Sequence, residues 1–475
     1  MRVLSLFIIL LSIVSCNRKS YEEIIPSDAK AVVVFNLPEM AKKAGIGPES
    51  GMEKLSKILS MDLSGLDLSE PLYGFVTANE YLGLVASVND EDKVMEAIER
   101  LCKQGNSKLP EDRDGLYWAD LYGKWQVAWN SSTFLVLGPG VGAEQGIVRK
   151  TMKDLFDADS EESFVTTKRY KQFAETDGDV VMYSSLDAVP TPYNTFFRVG
   201  MPEKVEMGDV QLFSSVFFET GKIKIQSVLS SEKPSVMEAY EVMAKEHNVI
   251  KGSFTEMVPS GAFAWLGANV KGENFLNMLR KDGTMRTLLL GLNTGIDADM
   301  MIRSISGDVA LAITGISKDA IPRFSLLAEI GNSDFLNDIP YWKTSIKGKK
   351  DIRLKDVPGG YCLSSSGKDL FFGVKDKKLF AASTASLAAD AMQYQPVSPL
   401  TPYVETLKGS SYFMWVDVRK LLKEADMQSS GGSSIIKGIA GNVKTVLFVA
   451  KDPLHAIIEI ETNTKNNVLK DLMNE

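Results

Sequence analysis

The sequence predicts an α+β fold made of two tandem copies, each a mainly antiparallel sheet with helices packed on one face. Three observations lead to this prediction. Apolar strand-like segments are joined mostly by short turns rather than by the long crossovers of a parallel sheet. The composition, 44% hydrophobic and 9% aromatic, is that of a packed globular chain. Similar motifs also recur at a constant distance along the 475 residues.

The recurrence consists of three pairs of matching motifs, all separated by 233 residues. They are Ile25-Pro26-Ser27 with Val258-Pro259-Ser260, Tyr170 with Tyr403, and Gly208-Asp209-Val210 with Gly441-Asn442-Val443. A single match could arise by chance, but three at one offset predict a gene duplication. We expect the copies to be residues 25–250 and 251–475, each far longer than a solenoid repeat.

Each predicted copy begins with a Pro-Ser turn and an apolar strand, followed by short helices. Pro38 suits the first turn of a helix, where its missing N–H is not needed. A strand pair comes next, and Asn89-Asp90 then predicts the N-cap of a helix over residues 91–103. Its apolar residues recur with helical spacing at Val94, Ala97, Ile98 and Leu101.

A three-stranded meander, a helix, a single strand, a long hairpin and a terminal helix complete each copy. The first copy has predicted strands at 31–37, 72–77, 81–88, 116–121, 125–129, 133–137, 180–186, 210–219 and 222–229. The second has them at 262–268, 308–314, 323–330, 360–364, 370–374, 378–382, 411–418, 443–450 and 455–461. Helices are predicted at 38–44, 52–60, 91–103, 143–156, 235–246, 274–280, 285–292, 385–392 and 465–474.

The N-terminus has the pattern of a lipoprotein signal. Arg2 precedes an apolar stretch, residues 3–14, that is too short to span a bilayer. The stretch ends at Cys16, which predicts a signal peptide over residues 1–15, acylation of Cys16, and a tether over residues 16–24. The alternatives are an ordinary signal peptide that contains a cysteine, or a short buried strand.

The residues after Cys16 bear on where the anchored protein would lie. Asn17 is not the Asp that favours retention in the inner membrane, and Arg18-Lys19 does not resemble an acidic surface-export tag. We therefore expect a cell-envelope protein in the outer rather than the inner membrane, on the periplasmic face rather than the cell surface.

Charge and cysteine content limit the partners. The chain has 53 basic and 61 acidic residues, a net charge of −8, and no basic tract or stripe is apparent, which excludes nucleic acid as a partner. Apart from Cys16 there are only Cys102 and Cys362. In an oxidising compartment they either pair or are buried, and we favour burial.

Residues suited to catalysis or metal binding are scarce. His247 and His455 are the only histidines, and neither has a Cys or carboxylate at a zinc or iron ligand spacing. Gly138, Gly140 and Ala143 match the G-x-G-x-x-A spacing of dinucleotide sites, but the strand before them belongs to a hairpin. We expect a glycine-rich turn, and no catalytic residue, cofactor or metal.

A segment between Pro190 and Pro202 holds the candidate binding residues. Tyr193, Phe196 and Phe197 offer aromatic faces that suit sugar rings or a protein partner. The alternative is that the three rings fold back into a local core.

The signal is followed by Ile-Pro-Ser-Asp-Ala-Lys-Ala-Val-Val at residues 25–33 and by a helix that ends at Lys42-Lys43-Ala44-Gly45. This opening resembles that of an uncharacterised family of Bacteroides-type lipoproteins, domain of unknown function 4836. The resemblance extends over the mature chain in length and layout. It implies an envelope lipoprotein without an assigned activity, and it supplies no catalytic residues.

These features predict a non-enzymatic protein, tethered to a membrane through its N-terminal lipid, that binds or scaffolds an envelope protein or a glycan. Exposed sheet edges are the expected docking sites, because an extended segment can add to them as a further strand. Two alternatives stay open. One is a surface glycan-binding lipoprotein, and the other is an envelope hydrolase whose carboxylates are brought together only by the fold.

Overall fold

The computed structural model describes residues 20–47, 64–189, 201–202, 204–246, 248–281, 283–316, 322–395, 397–424 and 441–472. Within them the chain forms two compact units, one ending at Ser184 and the other spanning Ser185–Leu472. The helix predicted at 52–60 lies outside the described residues. The predicted copies, 25–250 and 251–475, stay a prediction.

The first unit is an antiparallel sheet with helices. Its strands are β1 (Ala31–Phe35), β2 (Leu72–Val76), β3 (Leu82–Ser87), β4 (Glu111–Arg113), β5 (Leu116–Leu121), β6 (Trp125–Trp129), β7 (Thr133–Gly138) and β8 (Val180–Ser185). Its helices are α1 (Leu37–Ala44), α2 (Glu91–Lys103), α3 (Glu144–Asp157) and α4 (Lys168–Glu175). The strands pair in the order β8-β1-β2-β3-β7-β6-β5-β4.

Local chemistry explains the first helices. The Asn36 side chain accepts a hydrogen bond from the backbone N–H of Glu39 at the start of α1, and Gly45 ends that helix with a φ of 67°. Asp90 caps α2 in the same way by accepting from Lys93 N at 3.1 Å. The apolar stripe of α2 then packs on β5 and β6, with Ile98 in one core with Val127 and Trp129.

The second unit continues with longer strands. They are β9 (Gln211–Glu219), β10 (Lys222–Ser230), β11 (Ala264–Lys271), β12 (Ile305–Gly315), β13 (Arg323–Ile330), β14 (Ile352–Val357), β15 (Gly360–Ser365), β16 (Lys368–Lys375), β17 (Lys378–Ala382), β18 (Tyr412–Asp417), β19 (Val443–Ala450) and β20 (His455–Thr462). All pair antiparallel, in the order β9-β10-β20-β19-β18-β11-β12-β13-β17-β16-β15-β14.

Nine helices accompany these strands among the described residues. They are α5 (Pro234–Glu246), α6 (Gly272–Lys281), α7 (Gly283–Leu292), α8 (Ala298–Arg303), α9 (Ile339–Ser345), α10 (Ala385–Asp390), α11 (Val404–Leu407), α12 (Val418–Glu424) and α13 (Val468–Leu472). In neither unit is a described helix both long and apolar enough to cross a membrane.

The sheet of the second unit carries a core on each face. Leu327 belongs to one apolar cluster and the adjacent Ala328 to the other, and Phe380 and Leu379 divide in the same way. Adjacent residues of a strand point to opposite faces, so each cluster covers one side of the sheet. The predicted α+β class with antiparallel pairing is confirmed, but helices pack on both faces, because strands such as β13 and β17 have apolar residues on both of their faces.

The two units share a strand order. The sequence β18-β11-β12-β13-β17-β16-β15-β14 in the second unit has the same connectivity as β8-β1-β2-β3-β7-β6-β5-β4 in the first. In the second unit, β10 also pairs with β20, and Ile225 lies opposite Ile458. These two residues are separated by the 233 positions that separate the sequence motifs.

Candidate functional site

A cluster of cations lies at one edge of the second unit's sheet. It consists of five exposed residues in strand β14 and the turn before it: Lys347, Lys349, Lys350, Arg353 and Lys355. Only two acidic residues, Asp351 and Asp356, lie among them or directly after them. We refer to residues 347–357 as the basic edge. It is a local excess of positive charge in a chain whose net charge is −8.

Strand β14 has alternating faces. Leu354 is buried opposite Leu363 of β15 and belongs to the core that contains Trp342 of α9. Arg353 and Lys355 point to the other face and are exposed. The apolar face therefore fixes the strand to the core, and the basic face is presented to solvent.

One side of β14 has no neighbouring strand among the described residues. In the part of the chain that the structure describes, β14 pairs with β15 alone. A strand with one neighbour leaves every second pair of backbone N–H and C=O groups without a sheet partner, and such an edge can accept a further strand. The edge is six residues long, which is an ordinary strand length.

The cations of the basic edge are mostly not neutralised by neighbours. Among the described residues, none of the five forms an ion pair, and Lys349 Nζ instead donates to the backbone oxygen of Thr294 at 3.4 Å. Asp356 is engaged by Lys343, whose Nζ lies 2.5 Å from its Oδ2. The surface is therefore suited to negatively charged groups.

The corresponding edge of the first unit differs. Its strand β4 has three residues, Glu111, Asp112 and Arg113, all exposed. Arg113 and Glu111 form an ion pair at 3.7 Å. A short, charged edge with an internal ion pair resists strand addition, so the basic edge is the better docking site of the two.

The basic edge was not identified from the sequence. The statement that no basic tract is apparent is wrong on the scale of a few residues, because Lys347-Gly348-Lys349-Lys350 is such a tract. Strand β14 was missed as well, although Ile352 and Leu354 alternate with Arg353 and Lys355 in the pattern of a half-buried strand. Alternation together with local charge was the signal that would have found it.

Cys16, Tyr193, Phe196 and Phe197 lie outside the described residues, as does His247. The basic edge is therefore defined by a different set of side chains.

His455 begins strand β20 beside an acidic residue. Its Nδ1 lies 2.9 Å from both carboxylate oxygens of Asp452, which also accepts from the backbone N–H of Leu454 and His455. Burial alone would raise the pKa of Asp452, but these hydrogen bonds outweigh it and lower the pKa. The pair closes the turn before β20. Across the described residues, no group of three His, Cys, Asp or Glu side chains is placed to hold a metal ion.

The glycine-rich segment is a packing feature. A side chain at Gly140 would place its Cβ 2.8 Å from Val148 of α3, and Gly140 N donates to the Lys124 oxygen in the turn between β5 and β6. Gly138 likewise lies against the Lys124 oxygen, which a Cβ would approach to 2.9 Å. Helix α3 has Glu144 in its first turn, which disfavours a phosphate there.

The two remaining cysteines are free thiols in the structure. Cys362 is buried, as expected from the sequence, whereas Cys102 is half-buried. Cys362, in β15, lies opposite Lys355 of the neighbouring strand β14, and its Sγ is 3.8 Å from Ser364 Oγ. Burial raises the pKa of the Cys362 thiol.

Fold and site together define an antiparallel α+β protein with a basic sheet edge. The chain belongs to the family described as Domain of unknown function (DUF4836), whose model matches residues 49–449. No curated protein matches the chain.

Two solved structures of TP0453 resemble part of the chain. Crystal form IV is 11% identical over 48% of this chain and 85% of that chain, with a TM-score of 0.27. Crystal form I is 12% identical over 49% of this chain and 88% of that chain, with a TM-score of 0.29. Scores this low support no inference about function.

Proposed function

We propose that this protein is a lipid-anchored cell-envelope protein, of the Bacteroides lipoprotein type, that binds or scaffolds a partner without catalysis. The support for the anchor is the N-terminal pattern of Arg2, an apolar stretch too short to span a bilayer, and Cys16 at its end. Two or three acyl chains on Cys16 would give stable membrane attachment.

The observation that carries the binding role is the basic edge. An added strand would form backbone hydrogen bonds with β14, and Arg353 and Lys355 would meet the side chains on one face of that strand. Residues two apart in a strand are separated by about 6.6 Å. The partner that fits is therefore an extended segment with acidic residues at every second position.

The tether is tested by fractionating cells that express the wild type and Cys16→Ala. The wild type should sediment with membranes, and the variant should be soluble after removal of its signal. A variant that still fractionates with membranes after high-salt washing would contradict the acyl tether.

The edge is tested with a fluorescent peptide of about eight residues in which threonine and glutamate alternate. Fluorescence anisotropy should detect binding to the wild type, and Arg353→Glu/Lys355→Glu should weaken it about tenfold or more. Lys150→Glu/Lys171→Glu makes the same charge change on exposed residues of the first unit and is the matched control. Equal binding by both double variants, or none by the wild type, would refute docking at this edge.

We also propose that residues 25–250 and 251–475 arose by duplication. The shared strand order of the two units and the pairing of Ile225 with Ile458 support it. Each copy would then retain the information for its own sheet. A chain ending at residue 250 should be monomeric and give the circular dichroism of an α+β protein, and aggregation of that fragment would indicate that the copies depend on one shared core.

A further inference from the structure

Helix α7 exposes an unusual amount of apolar surface. Its ten residues, Gly283–Leu292, include one charged residue, Arg286. Leu288 is 50% exposed and Leu290 is 64% exposed, and Met285 is exposed as well. Leu289 between them is buried in the core beside Ile296. The helix is thus fixed to the unit by Leu289, with Leu292 packed against the same core, while Leu288 and Leu290 face solvent.

The composition of α7 is unusual for a helix that faces water. A surface helix of a globular protein normally shows charged and polar residues on the side away from the core. In α7 the side chains away from Leu289 are leucine, threonine and glycine. This composition suits a helix whose outer side lies against another apolar medium.

Cations lie before, within and beyond the end of this apolar helix. Lys281 lies two positions before the helix, separated from it by Asp282, and Arg286 lies within it. Both cations are exposed. Beyond its C-terminal end, Lys349 Nζ reaches the Thr294 oxygen at 3.4 Å. Gly295 also approaches Ile352, whose Cγ2 would lie 3.3 Å from a Cβ there. The basic edge, with Lys347 and Lys350, therefore adjoins the end of α7.

We propose that α7 lies on the surface of an anionic lipid membrane, with Leu288 and Leu290 in the headgroup–acyl boundary and the surrounding cations at lipid phosphates. An apolar helix face bordered by Lys and Arg is the arrangement that binds membrane interfaces, and basic residues near it add attraction to anionic lipids. Charge complementarity selects lipid over self-association through this surface, because a second copy would place the same cations opposite these, whereas an anionic membrane offers phosphates.

The inference rests on the proposed tether only for bringing α7 to a membrane. The acyl chains would hold the protein near a bilayer, and α7 would then orient the second unit on it. The two proposals fail separately, because the vesicle experiment below uses protein without acyl chains, whereas the fractionation of Cys16→Ala reports on the acyl chains.

The experiment uses the unacylated mature chain, residues 16–475 with Cys16→Ser, and vesicles of phosphatidylcholine with or without phosphatidylglycerol. Co-sedimentation should show binding to the anionic vesicles that is about tenfold tighter than to the neutral ones. Leu288→Glu/Leu290→Glu should weaken that binding about tenfold or more. Lys349→Glu/Lys350→Glu should weaken binding to the anionic vesicles while leaving binding to the neutral ones unchanged.

The matched control is Ile147→Glu/Val242→Glu, which places the same charges on exposed apolar residues of α3 and α5. Ile147 is 57% exposed and Val242 is 53% exposed. This variant should bind vesicles like the wild type. Thermal melts of all variants establish that they are folded. If Leu288→Glu/Leu290→Glu fails to fold, the milder single variant Leu290→Gln is measured in its place.

Three outcomes would overturn the proposal. The first is wild-type protein that does not bind anionic vesicles, and the second is equal loss of binding in the α7 and control variants. The third is a wild-type dimer, seen by size-exclusion chromatography with light scattering, that Leu288→Glu/Leu290→Glu converts to a monomer without changing vesicle binding. That result would assign α7 to contact between copies of the chain.

Discussion

Replacing Asp308 by alanine should strongly destabilise the second unit. Asp308 is 2% exposed and lies near the beginning of β12. Its Oδ1 accepts from Asn269 Nδ2 at 2.8 Å, and its Oδ2 accepts from the backbone N–H groups of Gly252 and Ser253 at 2.8 and 2.9 Å. Lys251 N also donates to the carboxylate. One side chain thus holds residues 251–253 against the sheet.

The magnitude follows from those four donors. A hydrogen bond to a charged group contributes about 1.5–3 kcal/mol, but Lys251 is exposed and Gly252 and Ser253 are half-buried, so water replaces part of the loss. We expect Asp308→Ala to lower the free energy of unfolding by about 3–5 kcal/mol. For a domain of this size the melting temperature should fall by roughly 6–12 °C.

Urea unfolding followed by tryptophan fluorescence measures the change, since Trp265 and Trp415 lie in the core that contains Phe254, one residue beyond Ser253. Asp390→Ala, at an exposed position in α10, is the control and should change stability by less than about 0.5 kcal/mol. A loss below about 1 kcal/mol for Asp308→Ala would refute the reasoning, because it would mean that solvent satisfies all four donors.

Two further predictions concern packing and thiol chemistry. Gly83→Ala should lower the free energy of unfolding by about 1–3 kcal/mol, because its Cβ would lie 2.3 Å from a ring atom of buried Phe75. Gly146→Ala in α3 is the control: its Cβ would have nothing within 4 Å, and the variant should be neutral or stabilising. Equal melting temperatures for the two variants would contradict the predicted difference. In native protein with Cys16→Ser, Cys102 should react with a disulfide reagent well before Cys362, whose raised pKa and burial limit its thiolate. The rate at which the reagent modifies Cys362 should still rise with pH above the range where the rate of an ordinary thiol levels off. A single fast phase that accounts for both thiols at pH 8 would disprove the predicted difference between the two cysteines.

Much of the fold follows from local sequence. The helix predicted at 91–103 has those bounds in the structure, as do the strands at 116–121 and 125–129. Local features specify these elements. The helix is specified by the Asp90 cap and the spacing of Val94, Ile98 and Leu101, and the hairpin by a short turn. Interactions within a few residues are sufficient to specify them.

The candidate site depended on distant residues. That β14 is the last strand of its sheet follows from the pairing of β13 with β17, which places β16, β15 and β14 successively outward. No pattern within residues 347–357 states this, since an edge is defined by the strand that is absent beside it. The same holds for Asp308, whose partners at 251–253 are more than fifty positions away along the chain.

The class of fold, the periodic elements and the pattern of charge are specified locally, because they depend on the chemistry of neighbouring residues. Tertiary structure alone decided which surfaces are left uncovered. Leu288, Leu289 and Leu290 are identical in chemistry, yet the fold buries Leu289 and exposes the other two. Burial is a property of what packs against a side chain, so only the assembled unit distinguishes a leucine that stabilises the core from one that is available to a membrane.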